Sequence, residues 1–140
     1  AIGETHLADY MQFKLPNYHT YRTDRQVPAG RPTSGGTALL VHRRIVHEPI
    51  QLPPTTSIEA TGVQVKLGSK KTNIVAVYRS PSKPFRPEEI DDLLRQCESN
   101  IIAGDLNAKH TSWGSVHPNS AGDMLHTHAI GKDYAIIGPD

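Results

Sequence analysis

The sequence has little of several features that would assign a function class at once. Cys97 is its single cysteine among 140 residues, which excludes an internal disulfide framework and any zinc site built from cysteines. The charge balance is nearly even, at 15 Lys+Arg against 14 Asp+Glu, so the strongly basic composition typical of nucleic-acid binders is lacking. No apolar run approaches the roughly 18 residues that cross a bilayer, and mean hydropathy is −0.46. We therefore expect no membrane partner.

The chain is instead rich in turn-forming residues and long enough for one domain. It contains 11 Gly and 11 Pro, and domains usually have about 100–200 residues. Its first residues are Ala1-Ile2-Gly3, with neither an initiator Met nor a signal peptide. This start indicates either processing or a piece of a longer protein.

The hydrophobic pattern predicts strands and helices in mixed order. Strands are predicted at 18–22, 37–41, 101–103 and 134–137, and a hairpin at 57–78 with its turn at 68–71. One helix is predicted from Pro87, with an apolar stripe formed by Ile90, Leu93, Leu94 and Cys97. A second is predicted over 120–130, ended by Gly131. The fold class is α/β or α+β, with a mostly antiparallel sheet.

Two details of the predicted hairpin follow from the alternation of its side chains. Apolar residues change parity on either side of Gly62, which predicts a β-bulge there. The run from Asn73 to Tyr78 is apolar on both parities, which predicts a central strand covered on both faces. Gly104 is expected to break the buried strand that follows the first helix.

Three groups of polar residues follow predicted strands and are candidates for chemistry. Asp105 and Asn107 come after the strand at 101–103, and in extended chain their side chains point to the same side. Such a pair can hold a metal-bound water and a substrate oxygen, although Gly-Asp-x-Asn is also ordinary turn composition. Glu4 and Tyr78-Arg79 lie at the ends of two other strands. Their alternatives are a solvated surface carboxylate and a buried core tyrosine.

The histidines do not have the spacing of a zinc site. His126 and His128 are two residues apart on a predicted helix, so they lie on different faces. His6, His42 and His47 fall in separate elements, and no HExxH or Cys-His spacing occurs. A zinc site is not expected.

Four segments taken in order carry a family resemblance. They are Glu4-Thr5-His6-Leu7, Gly36 to Val41, Val77 to Pro81, and Ala103 to Gly114 with its Gly-Asp-Leu-Asn-Ala-Lys-His-x-x-Trp-Gly run. Together they resemble the endonuclease domain of non-LTR retrotransposons, especially jockey-like elements, in the endonuclease/exonuclease/phosphatase superfamily. The resemblance implies a four-layer αββα sandwich and Mg²⁺-dependent DNA hydrolysis that nicks a target site, with Mn²⁺ as a possible substitute.

The resemblance also implies roles for individual residues. Glu4 would be the metal ligand, and a carboxylate suits Mg²⁺. Asp105 would orient and help to deprotonate the attacking water, Asn107 would bond a phosphate oxygen or the metal-bound water, and Tyr78 would face the scissile phosphate. His110 and Trp113 would support the loop. Weaker candidates for contact with the DNA backbone are Arg79, Lys109 and Arg31.

The same resemblance implies partners and a place of action. The partners would be DNA and the reverse-transcriptase region of the same polyprotein, and the protein would act in the nucleus. Two parts of the family pattern are not found: an Asn on a strand preceding the Glu, and a C-terminal Ser-Asp-His. We therefore expect the central part of the domain, incomplete at both ends, with little or no nuclease activity alone. The alternatives are a degenerate relic that serves as a binding module, and a phosphatase of the same superfamily.

Overall fold

A computed structural model of the chain describes residues 1–28 and 30–138. Over these residues the chain forms seven strands, two α-helices and one short 3₁₀ helix at Thr111–Trp113. The strands are β1 Ile2–Gly3, β2 Tyr18–Thr23, β3 Thr37–His42, β4 His47–Ile50, β5 Ile58–Leu67, β6 Lys70–Arg79 and β7 Asn100–Asp105, and the helices are α1 Pro87–Leu94 and α2 Ser120–Lys132.

The strands form two sheets. A three-stranded antiparallel sheet has the order β1-β3-β2, and a four-stranded sheet has the order β4-β5-β6-β7. In the second sheet only the β6–β7 pair is parallel. The predicted class, a mixed and mostly antiparallel α/β structure, is confirmed.

The β5–β6 hairpin is regular, so the predicted bulge is wrong. Gly62 pairs with Val75 in a ladder that continues without interruption on both sides. A Cβ on Gly62 would lie 2.8 Å from Cγ1 of Ile50. The glycine is therefore needed because the Ile50 side chain of the neighbouring strand β4 lies against it. The turn is also shorter than predicted, because β6 already begins at Lys70.

Two apolar cores lie on the two faces of the four-stranded sheet. The core between the sheets is built mainly from Leu39, Val41, Val63, Val65 and Ala76. The core beneath the helices is built from Ile58, Val75, Val77, Phe85, Ile90, Leu93, Ala121 and Leu125. Because β6 contributes to both, the prediction of a central strand covered on both faces is confirmed.

Both helices pack on the outer face of the four-stranded sheet. The described residues therefore form three layers, with no helix on the outer face of the three-stranded sheet within 1–28 and 30–138. The two-sheet sandwich expected from the resemblance is present, with helices on one side of it. In the part of the chain that the structure describes, no helix has the length and apolar character needed to cross a membrane.

The helix boundaries differ from those predicted. α1 ends at Leu94, so Cys97 lies beyond it, where its Sγ donates a hydrogen bond to the carbonyl of Lys71 at 3.3 Å. α2 continues through Gly131 and ends at Lys132, and Asp133 caps it in the left-handed conformation with φ 55°. The predicted C-terminal glycine is therefore wrong, because an aspartate takes the left-handed position.

Two strand predictions are also corrected. β7 includes Gly104 rather than ending before it, and its Ile101 is 48% exposed because β7 is an edge strand. Residues 134–137 form no strand. Tyr134 donates its backbone N–H to the carbonyl of Ala129 at 3.3 Å. Tyr134 and Ile136 pack against the helix-side core, whereas Ile137 is 94% exposed.

Candidate active site

Three strands bring the predicted site residues to one edge of the sandwich. β6 and β7 run in parallel and end together, with Tyr78 paired to Asp105. β1 ends just before Glu4, and a Cβ on Gly3 would lie 3.6 Å from Cβ of Tyr78. Glu4, Tyr78 and Asp105, which are far apart in sequence, therefore meet at this edge.

Glu4 and Tyr78 are in direct contact. The Tyr78 hydroxyl donates to Oε1 of Glu4 at 2.9 Å. The Tyr78 residue is only 4% exposed, whereas the Glu4 side chain is 51% exposed. Burial, followed by the hydrogen bond to Glu4, raises the pKa of Tyr78 above its ordinary value. Tyr78 is therefore a protonated donor that holds a solvent-facing carboxylate.

Asp105 and Asn107 form a tight turn directly after β7. The backbone N–H of Asn107 donates to Oδ1 of Asp105 at 2.7 Å, and Asn107 adopts φ 48°. The Asn107 side-chain amide donates to the carbonyl of Arg79 at 2.9 Å. The turn expected from composition is thus present, and it is the turn that places these two side chains at the site.

Arg79 does not face solvent as a DNA-contacting residue would. It is 3% exposed, and its guanidinium donates to the carbonyls of Leu106 at 2.6 Å and of Asn107 at 3.1 Å. Burial lowers its pKa from the ordinary value, an effect that Asp105 opposes, and an arginine stays charged in either case. The predicted DNA contact is corrected: Arg79 holds the loop after β7 from within.

His110 and Trp113 lie further along the same loop. Nδ1 of His110 accepts the N–H of Ser112 at 3.1 Å, and the Trp113 indole donates to the carbonyl of Ala108 at 3.2 Å. Their rings lie 5.0 Å apart. These contacts fit the loop-supporting role expected of both residues. Lys109 and Arg31 are exposed, as a contact with backbone phosphates requires.

Sequence reasoning missed a charged pair behind Tyr78. Arg25 Nε donates to Oε1 of Glu59, and Gly36 donates its N–H to Oε2 of the same carboxylate at 2.5 Å. The Arg25 guanidinium lies 5.7 Å from the centre of the Tyr78 ring, a distance at which a cation is attracted to it. Glu59 pairs with Tyr78 across the hairpin, a register that the hydrophobic pattern alone does not specify.

Backbone strain is concentrated at this edge. Among the described residues, five non-glycine residues have positive φ, and three of them are here: Glu4 at 56°, His6 at 54° and Asn107 at 48°. Such conformations persist where surrounding structure enforces them, often at functional sites. His6 is held through Nδ1 and the carbonyl of Thr33 at 3.1 Å, with its Nε2 3.6 Å from Glu4 Oε1.

The donor chemistry of this edge fits a magnesium ion. Mg²⁺ is usually bound by one or two carboxylates, with water and substrate phosphate completing its shell. Glu4 offers a half-exposed carboxylate whose Oε1 is oriented by Tyr78, and Asp105 adds an exposed carboxylate on a neighbouring strand. Across residues 1–28 and 30–138, no three His, Cys, Asp or Glu side chains form a metal-binding cluster. A site of this kind would therefore be open, with few protein ligands.

Comparisons with known proteins match both the sequence and the fold. A family model described as "Endonuclease-reverse transcriptase" matches residues 72–137. The chain is 27% identical over 137 residues to the RNA-directed DNA polymerase from mobile element jockey of Drosophila funebris, covering 97% of this chain and 15% of that protein. It is 32% identical over 104 residues to the probable RNA-directed DNA polymerase from transposon BS of Drosophila melanogaster, covering 70% of this chain and 12% of that protein.

A solved structure matches as well. The endonuclease domain of TRAS1, a telomere-specific non-LTR retrotransposon, superposes with a TM-score of 0.64 at 23% identity, covering 86% of this chain and 56% of that one. The chain thus spans only a small part of its curated relatives, 15% in the case of the Drosophila funebris protein. The expected resemblance is confirmed: the chain is similar to jockey-like mobile-element proteins and has the fold of the endonuclease/exonuclease/phosphatase superfamily, as in the endonuclease domain of TRAS1.

Proposed function

We propose that this chain provides the central part of a Mg²⁺-dependent DNA endonuclease domain that nicks a target site for retrotransposition, with Mn²⁺ as a possible substitute. The main support is that Glu4, Tyr78 and Asp105 meet at one edge of the sandwich, where the Tyr78 hydroxyl lies 2.9 Å from Glu4. A buried donor beside an exposed carboxylate suits the binding of a phosphodiester through a metal ion.

Each residue has a distinct task in this proposal. Glu4 holds the ion, with its carboxylate oriented by Tyr78. The ion, when bound, stabilises negative charge that develops on the phosphate. Asp105 orients the attacking water and accepts its proton, while the Asn107 amide bonds a phosphate oxygen. Tyr78 stays protonated, because its pKa is raised, and it faces the scissile phosphate while its single O–H donates to Glu4.

The proposal extends to partners and place of action. Lys109 and Arg31, both exposed, contact backbone phosphates beside the site. The reverse-transcriptase region of the same polyprotein is the second partner, since the curated relatives are RNA-directed DNA polymerases. Cleavage of chromosomal DNA would take place in the nucleus.

We further propose that residues 1–140 alone nick DNA weakly or not at all. The family uses the histidine of a Ser-Asp-His sequence in phosphate chemistry, and that sequence does not occur in this chain. The chain is then a partial domain that supplies the metal-binding carboxylate, the water-orienting aspartate and the fold that holds them.

Nicking of supercoiled plasmid tests both statements. Two polypeptides are compared with and without Mg²⁺: residues 1–140, and the same chain extended by the sequence encoded on both sides. We expect nicking by the extended polypeptide alone, and Asp105→Ala in it should lower the rate by about 10²–10⁴-fold, as loss of a general base does. The control is Asp92→Ala, at a surface position on α1, which should leave the rate unchanged.

Each outcome bears on a separate statement. An extended polypeptide that binds DNA but does not nick it contradicts the endonuclease proposal and favours the binding-module alternative. Asp105-dependent nicking by residues 1–140 contradicts the proposal that this part is inactive alone.

A further inference from the structure

The start of α2 is joined to the loop after β7 by one side chain, Asn119. Its Oδ1 accepts the N–H of Gly122 at 2.8 Å and the N–H of Lys109 at 3.0 Å. Its Nδ2 donates to the carbonyl of Asn107 at 3.0 Å. The backbone N–H of Asn119 completes the connection by donating to the carbonyl of Lys109 at 2.9 Å. A residue that needed only to cap the helix would make the first of these bonds alone.

The same contact requires a glycine in the first turn of α2. A Cβ on Gly122 would lie 1.9 Å from the carbonyl oxygen of Lys109, a distance that no side chain tolerates. The helix therefore lies directly against the backbone of the loop, without an intervening layer of side chains. This close approach brings the Asn119 amide within reach of Asn107.

The carbonyl of Asn107 is held from two sides. It accepts from Nη2 of the buried Arg79 at 3.1 Å and from Nδ2 of Asn119 at 3.0 Å. Asn107 has φ 48°, and a left-handed conformation costs energy in a residue with a side chain. The two donors stabilise this conformation, on which the orientation of the Asp105 and Asn107 side chains depends.

We propose that Asn119 is a positioning residue of the endonuclease site, which holds Asn107 in its left-handed conformation through the amide-to-carbonyl bond while it caps α2. The inference rests on the proposed function of Asp105 and Asn107, and it adds to that function a residue on a separate helix. The capping bond and the positioning bond use different atoms of one side chain, so substitutions can separate them.

Two substitutions retain the cap and remove the bond to Asn107. Asn119→Asp keeps the oxygen that accepts from Gly122 and Lys109, but places an oxygen against the Asn107 carbonyl. Asn119→Ser keeps a good capping oxygen and has no group that reaches Asn107. In the extended polypeptide we expect both to lower kcat for nicking by about 10–100-fold, the usual effect of losing a supporting residue, with KM for DNA changed by less than about 3-fold.

Amide hydrogen exchange in residues 1–140 gives a readout that does not depend on activity. In Asn119→Asp we expect faster exchange at the Asn107 amide, because its bond to Asp105 requires the turn. The amides of Lys109 and Gly122 should remain protected, because their acceptor is retained. If the wild-type extended polypeptide does not nick, the proposed function fails, whereas the exchange result still tests the positioning.

The matched control is Asn100→Asp. Asn100 donates through Nδ2 to the carbonyls of Leu94 at 2.8 Å and Cys97 at 2.6 Å, at the start of β7, roughly 16 Å of strand from Asp105. It should leave both kcat and the Asn107 exchange rate unchanged. Positioning by Asn119 is overturned if Asn119→Asp and Asn119→Ser leave the Asn107 exchange rate as in the wild type, or if Asn100→Asp lowers kcat as much as they do.

Discussion

Tyr78 combines two roles that its sequence position left as alternatives. Its ring is buried on β6 and lies near the Arg25 guanidinium, while its hydroxyl reaches Glu4. The buried core tyrosine therefore also faces the candidate site. The buried ring gives the hydroxyl a defined position, which a tyrosine on the surface would not have.

Tyr78→Phe tests the hydroxyl alone, because the ring is retained. We expect the extended polypeptide to lose about 10²-fold in nicking rate, as when one preorganised donor is removed, with little change in stability. The control is Tyr21→Phe, which also loses one hydrogen bond, to Nε2 of His47 at 2.9 Å, but away from the site. Equal rates for Tyr78→Phe and wild type would contradict the role given to the hydroxyl.

The pKa of Tyr78 predicts a feature of the pH profile. Burial and the bond to Glu4 raise this pKa above its ordinary value, so the hydroxyl keeps its proton at neutral and mildly alkaline pH. We expect no loss of nicking from Tyr78 ionisation at neutral or mildly alkaline pH. A rate that falls there in wild type, but not in Tyr78→Phe, would show that the hydroxyl ionises earlier.

At the scale of elements, Glu89 shows how a helix is fastened to a strand. An acidic residue in the first turn of α1 is expected to favour the helix start. In the structure Glu89 is only 7% exposed, and its carboxylate accepts the backbone N–H groups of Thr56, Ser57 and Ile58 and the hydroxyls of the first two. The side chain thereby joins α1 to the segment that leads into β5.

Glu89→Gln should therefore cost about 2–3 kcal/mol in free energy of unfolding, because buried donors lose a charged acceptor. Glu88→Gln, one position earlier and exposed, is the matched control and should change stability by less than about 0.5 kcal/mol. Urea denaturation of residues 1–140 measures both. Equal stabilities of the two variants would contradict the fastening role.

The stabilisation by Glu89 should depend on pH. Burial alone would raise its pKa, but hydrogen bonds from Thr56 and Ser57 outweigh that and hold the pKa below 4.5. A carboxyl with a lowered folded-state pKa stabilises fully above its unfolded pKa, and this stability is lost as pH falls through the folded value. The difference between wild type and Glu89→Gln should therefore shrink below about pH 4.5. Asp91 also has a lowered pKa, but its contribution to the pH dependence cancels in this difference, because both proteins retain Asp91.

At the scale of the whole molecule, the four-stranded sheet joins two cores. β5 and β6 place side chains in the core between the sheets and in the core beneath the helices. Because the same two strands line both cores, loss of one core removes the support on which the other core is packed. The described part of the chain should therefore unfold as one cooperative unit.

Two Leu→Ala substitutions test this coupling, one in each core. Leu39 lies between the sheets and Leu93 beneath the helices, and both are buried. Each substitution should cost about 2–5 kcal/mol and lower a single Tm, seen alike by circular dichroism and by fluorescence of Trp113, which packs on the helix side. Leu67→Ala, at a half-exposed position, is the control. A Leu39→Ala protein whose Trp113 transition stays at the wild-type temperature would show that the cores unfold separately.

The sequence predicted much of the fold, because most of its elements carry a local signal. β-Branched and aromatic residues indicate β2, alternation indicates β5, apolar runs indicate β3 and β6, and the apolar stripe indicates α1. The errors lie where a tertiary contact decides the backbone. Gly62 accommodates Ile50 rather than a bulge, and the strand-like segment 134–137 pairs with no strand but packs Tyr134 and Ile136 against the helix-side core.

For the candidate site, too, some features are predictable from the sequence and others are not. The sequence indicates Glu4, Tyr78, Asp105 and Asn107, because each lies at or just after the end of an apolar strand and matches a family motif, and the structure places them at one edge. The buried position of Arg79 and the contacts of Arg25, Glu59 and Asn119 were not predicted. Local patterns determine which residues form strands and which polar groups follow them. Only the tertiary structure decides which of those groups meet and which are buried, because hydrogen bonds between residues far apart in sequence leave no mark in spacing.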